Sequence, residues 1–222
     1  MRRVDDIPIH FALDRVRREL HLPEEKIPAS DLGDLIESAE SLIHARAALV
    51  MAYVEEHGPL SVTLAGLTFT SKVLAAKLKD VERAFPYLIT IGNALEDRAA
   101  TSGDLLRQFT LEGLGDMALR QAREYVTSLL EKRHGLPKIS SLSPGSLSDW
   151  PITEQVVLFS LFPDGGGIGV RLSESLLMIP RKSISGIFFP TEEDFFSCRI
   201  CPRPGCPARK ADYDKAREDE FR

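Results

Sequence analysis

The sequence predicts an α+β protein, and three observations carry that expectation. A long amphipathic stripe runs over residues 104–132, with Leu105, Phe109, Leu114, Met117, Ala118, Ala122, Val126 and Leu129 at helical spacing. Shorter segments, at 61–69, 87–92 and 183–189, alternate in polarity or are rich in β-branched and aromatic residues, the pattern of strands. The chain has 222 residues, 43% of them hydrophobic, enough to bury a core without disulfide staples.

The remaining elements follow in order. Residues 9–20 predict a short helix with Ile9, Leu13, Val16 and Leu20 on one face, stopped at Pro23. Ser30 or Asp31 caps a longer helix in which Leu32, Leu35, Ile36, Ala39 and Leu42 keep the helical period. Residues 48–54 are a compact apolar run ending near Gly58-Pro59, read as one strand that pairs with 61–69. Ser71 caps the next helix, with Val73, Leu74 and Leu78 facing inward. The strand at 87–92 closes on Gly92, and a short helix covers 94–100. Gly135 and Pro137 end the long helix. The serine-rich stretch 139–149 centres on the turn Ser143-Pro144-Gly145-Ser146. Asp149 then caps a helix to Phe159 that turns Ile152, Val156 and Phe159 to one side. Ile168, Val170 and Leu172 alternate as a strand, and 183–189 form another ended by Pro190. The charged residues from 208 onward balance in sign and predict a solvated helix. No internal repeat is present. The organisation expected is an N-terminal helical subdomain (1–60), a core (61–190) and a cysteine-rich, charged tail (191–222).

Charge and hydropathy exclude some classes. The net charge of −5 and pI near 5.6 argue against nucleic acid as a partner, because phosphate binding needs a concentrated basic face. No apolar run approaches the roughly 20 residues that span a bilayer. Met1-Arg2-Arg3 is not followed by the apolar stretch of a secretory signal, and reduced thiols suit the cytoplasm, which is the compartment expected.

All three cysteines lie within nine residues, as Cys198-x2-Cys201-x4-Cys206. Thiolates are soft ligands, so this spacing points to zinc or an iron–sulfur cluster, one protein ligand short of four. Asp194, Asp212, a partner, a substrate or water are the candidates for the fourth place. Arg199, Arg203, Arg209 and Lys210 would favour thiolate over thiol. The alternatives are three surface thiols, or one disulfide plus a spare. His10, His21, His44, His57 and His134 form no ligand spacing. Gly165-Gly166-Gly167 lacks the Gly-Lys-Ser/Thr ending of a phosphate cradle and reads as a hairpin loop. Glu112 and Asp116, four apart, are either paired carboxylates in a cleft or a solvated helix face. Ser183 and Ser185 share one strand face, as edge polarity or as cleft lining, and Trp150 reads as a core residue.

Taken together, several segments resemble the activation domain of cobalamin-dependent methionine synthase in its stand-alone form. They are Leu67-Thr68-Phe69-Thr70-Ser71-Lys72-Val73-Leu74, Thr90-Ile91-Gly92-Asn93-Ala94-Leu95-Glu96, the helix with Leu111-Glu112-Gly113-Leu114-Gly115-Asp116, and the Ser143-Pro144-Gly145 turn. The last is Leu172-Ser173-Glu174-Ser175, continuing to Pro180-Arg181-Lys182-Ser183-Ile184-Ser185-Gly186. The resemblance implies a curved domain with a twisted antiparallel sheet flanked by helices. It implies binding of S-adenosylmethionine and a part in a cobalamin-dependent methyltransferase system. There an inactive cob(II) corrinoid, carried by a partner protein, is reduced by a donor such as flavodoxin or ferredoxin and re-methylated.

Site residues carried over by the resemblance are Asp116 on the long helix, Ser141 and the Ser143-Pro144-Gly145-Ser146 turn at the adenosyl group, and Ser173, Glu174, Ser183 and Ser185 toward the corrinoid. Where the family has an arginine for the methionine carboxylate this chain has Ser141, and where it has a tyrosine after the Pro-Gly this chain has Ser146. Arg120 stands where a further acidic residue is expected on the helix. Exchanging a bidentate cation for a hydroxyl costs on the order of 1.5–3 kcal/mol, and Arg120 or Lys138 are the candidates to replace that charge. A second reading is a metal- or cluster-bearing interaction and redox module that docks a corrinoid protein without methyl transfer.

Overall fold

A computed structural model of the protein describes residues 1–192, 195, 197–206, 209 and 211–220. In chain order its elements are β1 (Arg2–Val4), α1 (Leu13–Glu19), α2 (Ala29–Leu42), β2 (Arg46–Leu49), β3 (Ala52–His57), β4 (Ser61–Leu64) and β5 (Leu67–Thr70). They continue with α3 (Lys72–Leu78), β6 (Arg83–Thr90), α4 (Ala94–Ala100), α5 (Leu105–His134), β7 (Ile139–Leu142) and α6 (Gln155–Ser160). The last are β8 (Arg171–Leu172), β9 (Met178–Ile179), β10 (Ser183–Pro190) and α7 (Lys215–Asp219).

The antiparallel sheet is organised around β6. On one edge of β6, β2 pairs with Thr90 to Tyr87 and β3 with Ala84 and Arg83, and β4 and β5 follow from β3. On the other edge β10 runs from Ser183 opposite Thr90 to Phe188 opposite Phe85, and β7 closes that side with Ser141 opposite Phe188. β1 pairs with β2, so the sheet draws strands from both sides of residue 60. β6 is buried on both faces, which is why it reads as a continuous apolar run instead of an alternating one. Phe85, Tyr87 and Ile89 face a core made with α1, α2, α4 and α5. Ala84 and Leu88 face a second core with Leu74, Trp150, Leu158 and Phe162. The mixed α+β architecture expected from the sequence is the one observed.

The long helix α5 forms where its stripe predicts, and its ends have visible causes. The Asp104 carboxylate accepts the Arg107 amide at 2.8 Å, and Gly135 at φ +62° closes the last turn in the left-handed conformation that glycine adopts without strain. Its buried stripe is Leu111, Leu114, Ala118, Ala122, Val126 and Leu130; Leu105 and Phe109 are exposed, contrary to expectation. They lie in the first turns of α5, ahead of the buried stripe.

Other differences are local. The first helix is confined to Leu13–Glu19, and α2 starts after Pro28 with no side-chain cap, earlier than Ser30 or Asp31. The strand expected at 48–54 is two strands, interrupted at Val50 and Met51. Opposite the break stands Pro86, which has no N–H for the ladder, and only its carbonyl is used, by the Val50 amide at 3.0 Å. Asp149 does not cap the helix that follows it. Its carboxylate takes the amides of Lys72 and Val73, at 3.1 and 3.0 Å, and the Ser71 hydroxyl, so it caps α3 from across the fold. After Trp150 a 3₁₀ turn (Ile152–Glu154) leads into the short α6, and Ile152 and Val156 are exposed. β1, β7 and β9 were not expected, and the strand expected over Ile168, Val170 and Leu172 is confined to β8, Arg171–Leu172, which pairs with β9. The three glycines 165–167 form no hairpin loop but a tight turn against β2, all three at positive φ (62°, 69° and 70°). Among the described residues of the charged tail the helix is the short α7.

Candidate functional site

The serine turn and the strand beside it build the first part of the site. Ser146 closes the turn on the Ser143 carbonyl through its amide at 3.1 Å and its hydroxyl at 2.6 Å. The Gly145 amide donates to the Trp150 carbonyl at 2.7 Å, and Trp150 is wholly buried, so the turn is anchored to the second core. Pro144 is buried and Gly145 exposed, which presents bare backbone at the surface. Gly186 on β10 permits this packing: a Cβ there would lie 2.3 Å from the Leu142 carbonyl oxygen, 2.8 Å from Ser143 Oγ and 3.0 Å from Tyr87 Oη.

A cation stands at this place after all. Arg123, on α5, donates from Nη2 to Ser141 Oγ at 2.8 Å, and its guanidinium sits 6.0 Å from the Phe188 ring centre. Phe188 in turn stacks on Tyr87 at 3.9 Å, and Tyr87 Oη lies 3.5 Å from Ser143 Oγ. Among the described residues Arg123 joins no ion pair, so its charge is available to an anionic group. Arg120, the expected source of that charge, is tied to Glu19 of α1 at 2.5 Å and faces elsewhere. Lys138 lies just before β7, and its carbonyl accepts the Thr191 amide.

The other residues of the motif do different work. Ser183 and Ser185 are buried rather than lining an open cleft. Ser183 donates to the Pro180 carbonyl at 2.7 Å and lies 2.9 Å from Thr90 Oγ1, while Ser185 reaches Gln155 Oε1 at 3.5 Å. Gln155 Nε2 donates to the Leu176 carbonyl at 3.1 Å, so these polar groups fasten the 173–180 loop to the sheet. Ser173 shapes that loop, accepting the Leu177 amide at 3.1 Å, and Glu174 is exposed at its tip.

Asp116 belongs to an ion cluster at the start of β10. Lys182 Nζ lies 2.6 Å from Asp116 and 2.9 Å from Glu112, and Arg181 bridges Glu112 at 3.0 Å and Glu96. Burial alone would lower the Lys182 pKa, but bonds and charges from Asp116 and Glu112 outweigh it and raise it. Burial likewise pushes the Glu112 carboxyl up, and Lys182 and Arg181 more than reverse that shift. The depressed Glu112 stabilises the fold above the ordinary carboxylate range and loses this effect as pH falls through its folded value. The raised Lys182 stabilises below the ordinary lysine range and loses its effect as pH rises through its folded value. Lys182→Met is therefore expected to cost about 1–3 kcal/mol at neutral pH, leaving two carboxylates without their cation. In urea unfolding the gap from the parent protein should close as pH drops below the carboxylate range; a gap unchanged at pH 3 would assign the loss to packing of the lysine stem.

The cysteine tail meets the serine turn. A cavity of about 880 Å³ is lined by Gly145, Ser146, Cys198, Cys201, Cys206 and Glu218 among others. The three thiols are not joined in a disulfide. Among the described residues no three His, Cys, Asp or Glu side chains are arranged to hold a single metal ion. Asp212 lines a separate hollow with Tyr213 and Arg217; Asp194 and Lys210 lie outside the described residues. Arg209 is bonded to backbone carbonyls of the cysteine loop.

Sequence reasoning missed Arg123, Tyr87, Phe188 and Gln155. Arg123 carried a signal: it stands seven residues after Asp116, two helical turns along the same face of α5.

No family model matches the chain, and no curated protein matches it. Among solved structures it is similar to the MetH reactivation domain bound to AdoHcy, with a TM-score of 0.61 over 88% of this chain and 80% of that one, at 14% identity. At that identity the likeness establishes a shared fold. No helix among the described residues is long and apolar enough to cross a membrane.

Proposed function

We propose that the protein binds S-adenosylmethionine against the β7–β10 edge and supports reductive re-methylation of a corrinoid carried by a partner protein. The observation that carries this reading is the Arg123 guanidinium, half-buried and 2.8 Å from Ser141 Oγ. Ser141 is where the resembling family places its carboxylate-binding arginine, so the cation arrives from the adjacent helix instead of the strand. The neighbour of the same fold, which holds AdoHcy, supports the choice of ligand.

The donor set suits a zwitterionic methionyl group. Arg123 would pair with the carboxylate, Ser143, backed by the buried Tyr87, offers a hydroxyl beside it, and the exposed Gly145 backbone lets a flat adenosyl group approach closely. When bound, the sulfonium supplies the transferable methyl, and the partner's corrinoid accepts it after a one-electron donor of the flavodoxin or ferredoxin kind has reduced it. The chain's own contribution is to hold and orient, which is where such a protein lowers a barrier.

The test is ligand-dependent stability. S-adenosylhomocysteine at about 100 times its Kd should stabilise the parent protein by about 2.7 kcal/mol. Arg123→Ala should weaken binding ten- to a hundredfold, the value of a charge-assisted carboxylate contact, with unfolding otherwise little changed. A parent protein whose melting does not respond to millimolar ligand would sink the reading. An Arg123→Ala variant that binds as tightly as its parent would place the carboxylate elsewhere.

A further inference from the structure

We propose that Cys198 and Cys201 are a redox-active dithiol that undergoes thiol–disulfide exchange with low-molecular-weight disulfides entering the cavity behind the serine turn. Local geometry sets up the pair. A 3₁₀ turn covers Ser197–Ile200, and the Cys201 amide returns to the Cys198 carbonyl at 3.4 Å. Such a turn has three residues per revolution and rises about 2 Å for each, so positions three apart eclipse one another with Cα atoms about 6 Å apart. Disulfides span Cα separations of about 4.4–6.8 Å, which puts the two thiols within bridging reach on one side of the turn. Both line the cavity of about 880 Å³, a size that admits a small peptide disulfide.

The loop holds this geometry without a sulfur–sulfur bond. The Arg209 guanidinium donates to the carbonyls of Cys198 at 2.9 Å and Cys201 at 3.1 Å, and Ile200, between them in sequence, is buried in the second core. The Asp214 amide adds a bond to the Arg199 carbonyl at 2.7 Å. The thiols are half-buried and not bridged in this folded arrangement, so the order of the loop precedes the bridge, as a reversible bridge requires. Cys206 follows a left-handed turn at Gly205 (φ +61°), and its carbonyl takes the Arg209 amide at 3.1 Å; it is the spare thiol. In the exchange, one thiolate of the pair attacks a sulfur of the small disulfide, forming a mixed disulfide and expelling one small thiolate. The second thiolate attacks the chain's own sulfur in that mixed disulfide, closing the 198–201 bridge and expelling the other. The chain gives up two electrons and two protons, and the small disulfide takes up both as it becomes two thiols. An excess of small thiol runs the same steps backward. The exchange does not depend on the ligand proposed for the serine turn, although Gly145 and Ser146 form part of the same cavity wall.

The experiment equilibrates the full chain with oxidised and reduced glutathione over a series of ratios, counts the remaining thiols and locates the bridge by peptide mapping. Excess oxidised glutathione should remove two of the three thiols, with the bridge at 198–201, and excess reduced glutathione should restore all three. Cys206→Ser should bridge as the parent does, whereas Cys201→Ser should stop at a mixed disulfide with glutathione. The equilibrium constant for the bridge should be at least about tenfold larger in the folded chain than in concentrated urea, because folding holds the pair in the eclipsed turn. Three thiols that persist in excess oxidised glutathione, a parent chain carrying mixed disulfides alone, or a bridge that uses Cys206 would each overturn the proposal. Equal constants in the folded and unfolded chain would overturn it too, since the exchange would then belong to the Cys-x2-Cys spacing and not to the site.

Discussion

Gly186→Ala is expected to destabilise the protein by about 3 kcal/mol and to remove its response to S-adenosylhomocysteine. A methyl group at this position would enter within 2.3 Å of a backbone oxygen, that of Leu142, which no side-chain rotation relieves. Forced overpacking of this kind costs about 1–3 kcal/mol when neighbours can yield, and more when they are backbone. Here β10 and β7 would have to part next to the Ser143 turn. The same displacement separates Ser143 from Tyr87 and shifts Ser141 away from Arg123, so binding should fail even in molecules that remain folded. Urea unfolding and a ligand melting series on one sample check both effects. A variant that loses stability yet binds normally would show that the ligand does not sit at this edge.

Trp150→Ala is expected to cost about 3–5 kcal/mol, the usual range for emptying a large aromatic site. Trp150 is entirely buried, packs edge-on to Phe69 with ring centres 6.2 Å apart, and its carbonyl holds Gly145. Its indole nitrogen is buried and makes no hydrogen bond among the described residues, so the residue acts by volume alone. Trp150→Phe should therefore retain most of the stability, and the difference between the two variants in urea measures the cavity. Equal losses for both would mean that the indole N–H has a partner. Because the serine turn hangs from this residue, the alanine variant should also bind ligand more weakly.

What was legible in the sequence depended on distance along the chain. α5 could be read because its periodicity repeats over many turns and its ends carry local signals, Asp104 and Gly135. The turn at Ser143 was equally local. The break between β2 and β3 was not legible, since its cause, Pro86, acts from a neighbouring strand. Asp149 looked like the cap of the next helix because nothing in its surroundings shows that its partners are Lys72 and Val73. Arg123 had the right spacing from Asp116 but the residue type of a solvated helix face. Only folding brings it against Ser141. Ser183 and Ser185 were legible as one face of a strand, while the side of the sheet that face turns toward depended on α6 and Gln155.

α5 also acts as a ruler. Lys182 grips it at Asp116 and Ser141 meets it at Arg123, two points seven residues and about 10 Å apart along one rigid rod. Adding or deleting a single residue between them would swing one contact about 100° around the axis while leaving the helix itself intact. A change of seven would restore the angle to within about 20° but displace it by about 10 Å from its place on the sheet. Relatives that keep both contacts must therefore keep this interval invariant in length, however freely its amino acids change, and must confine insertions to surface loops such as the one at 173–177.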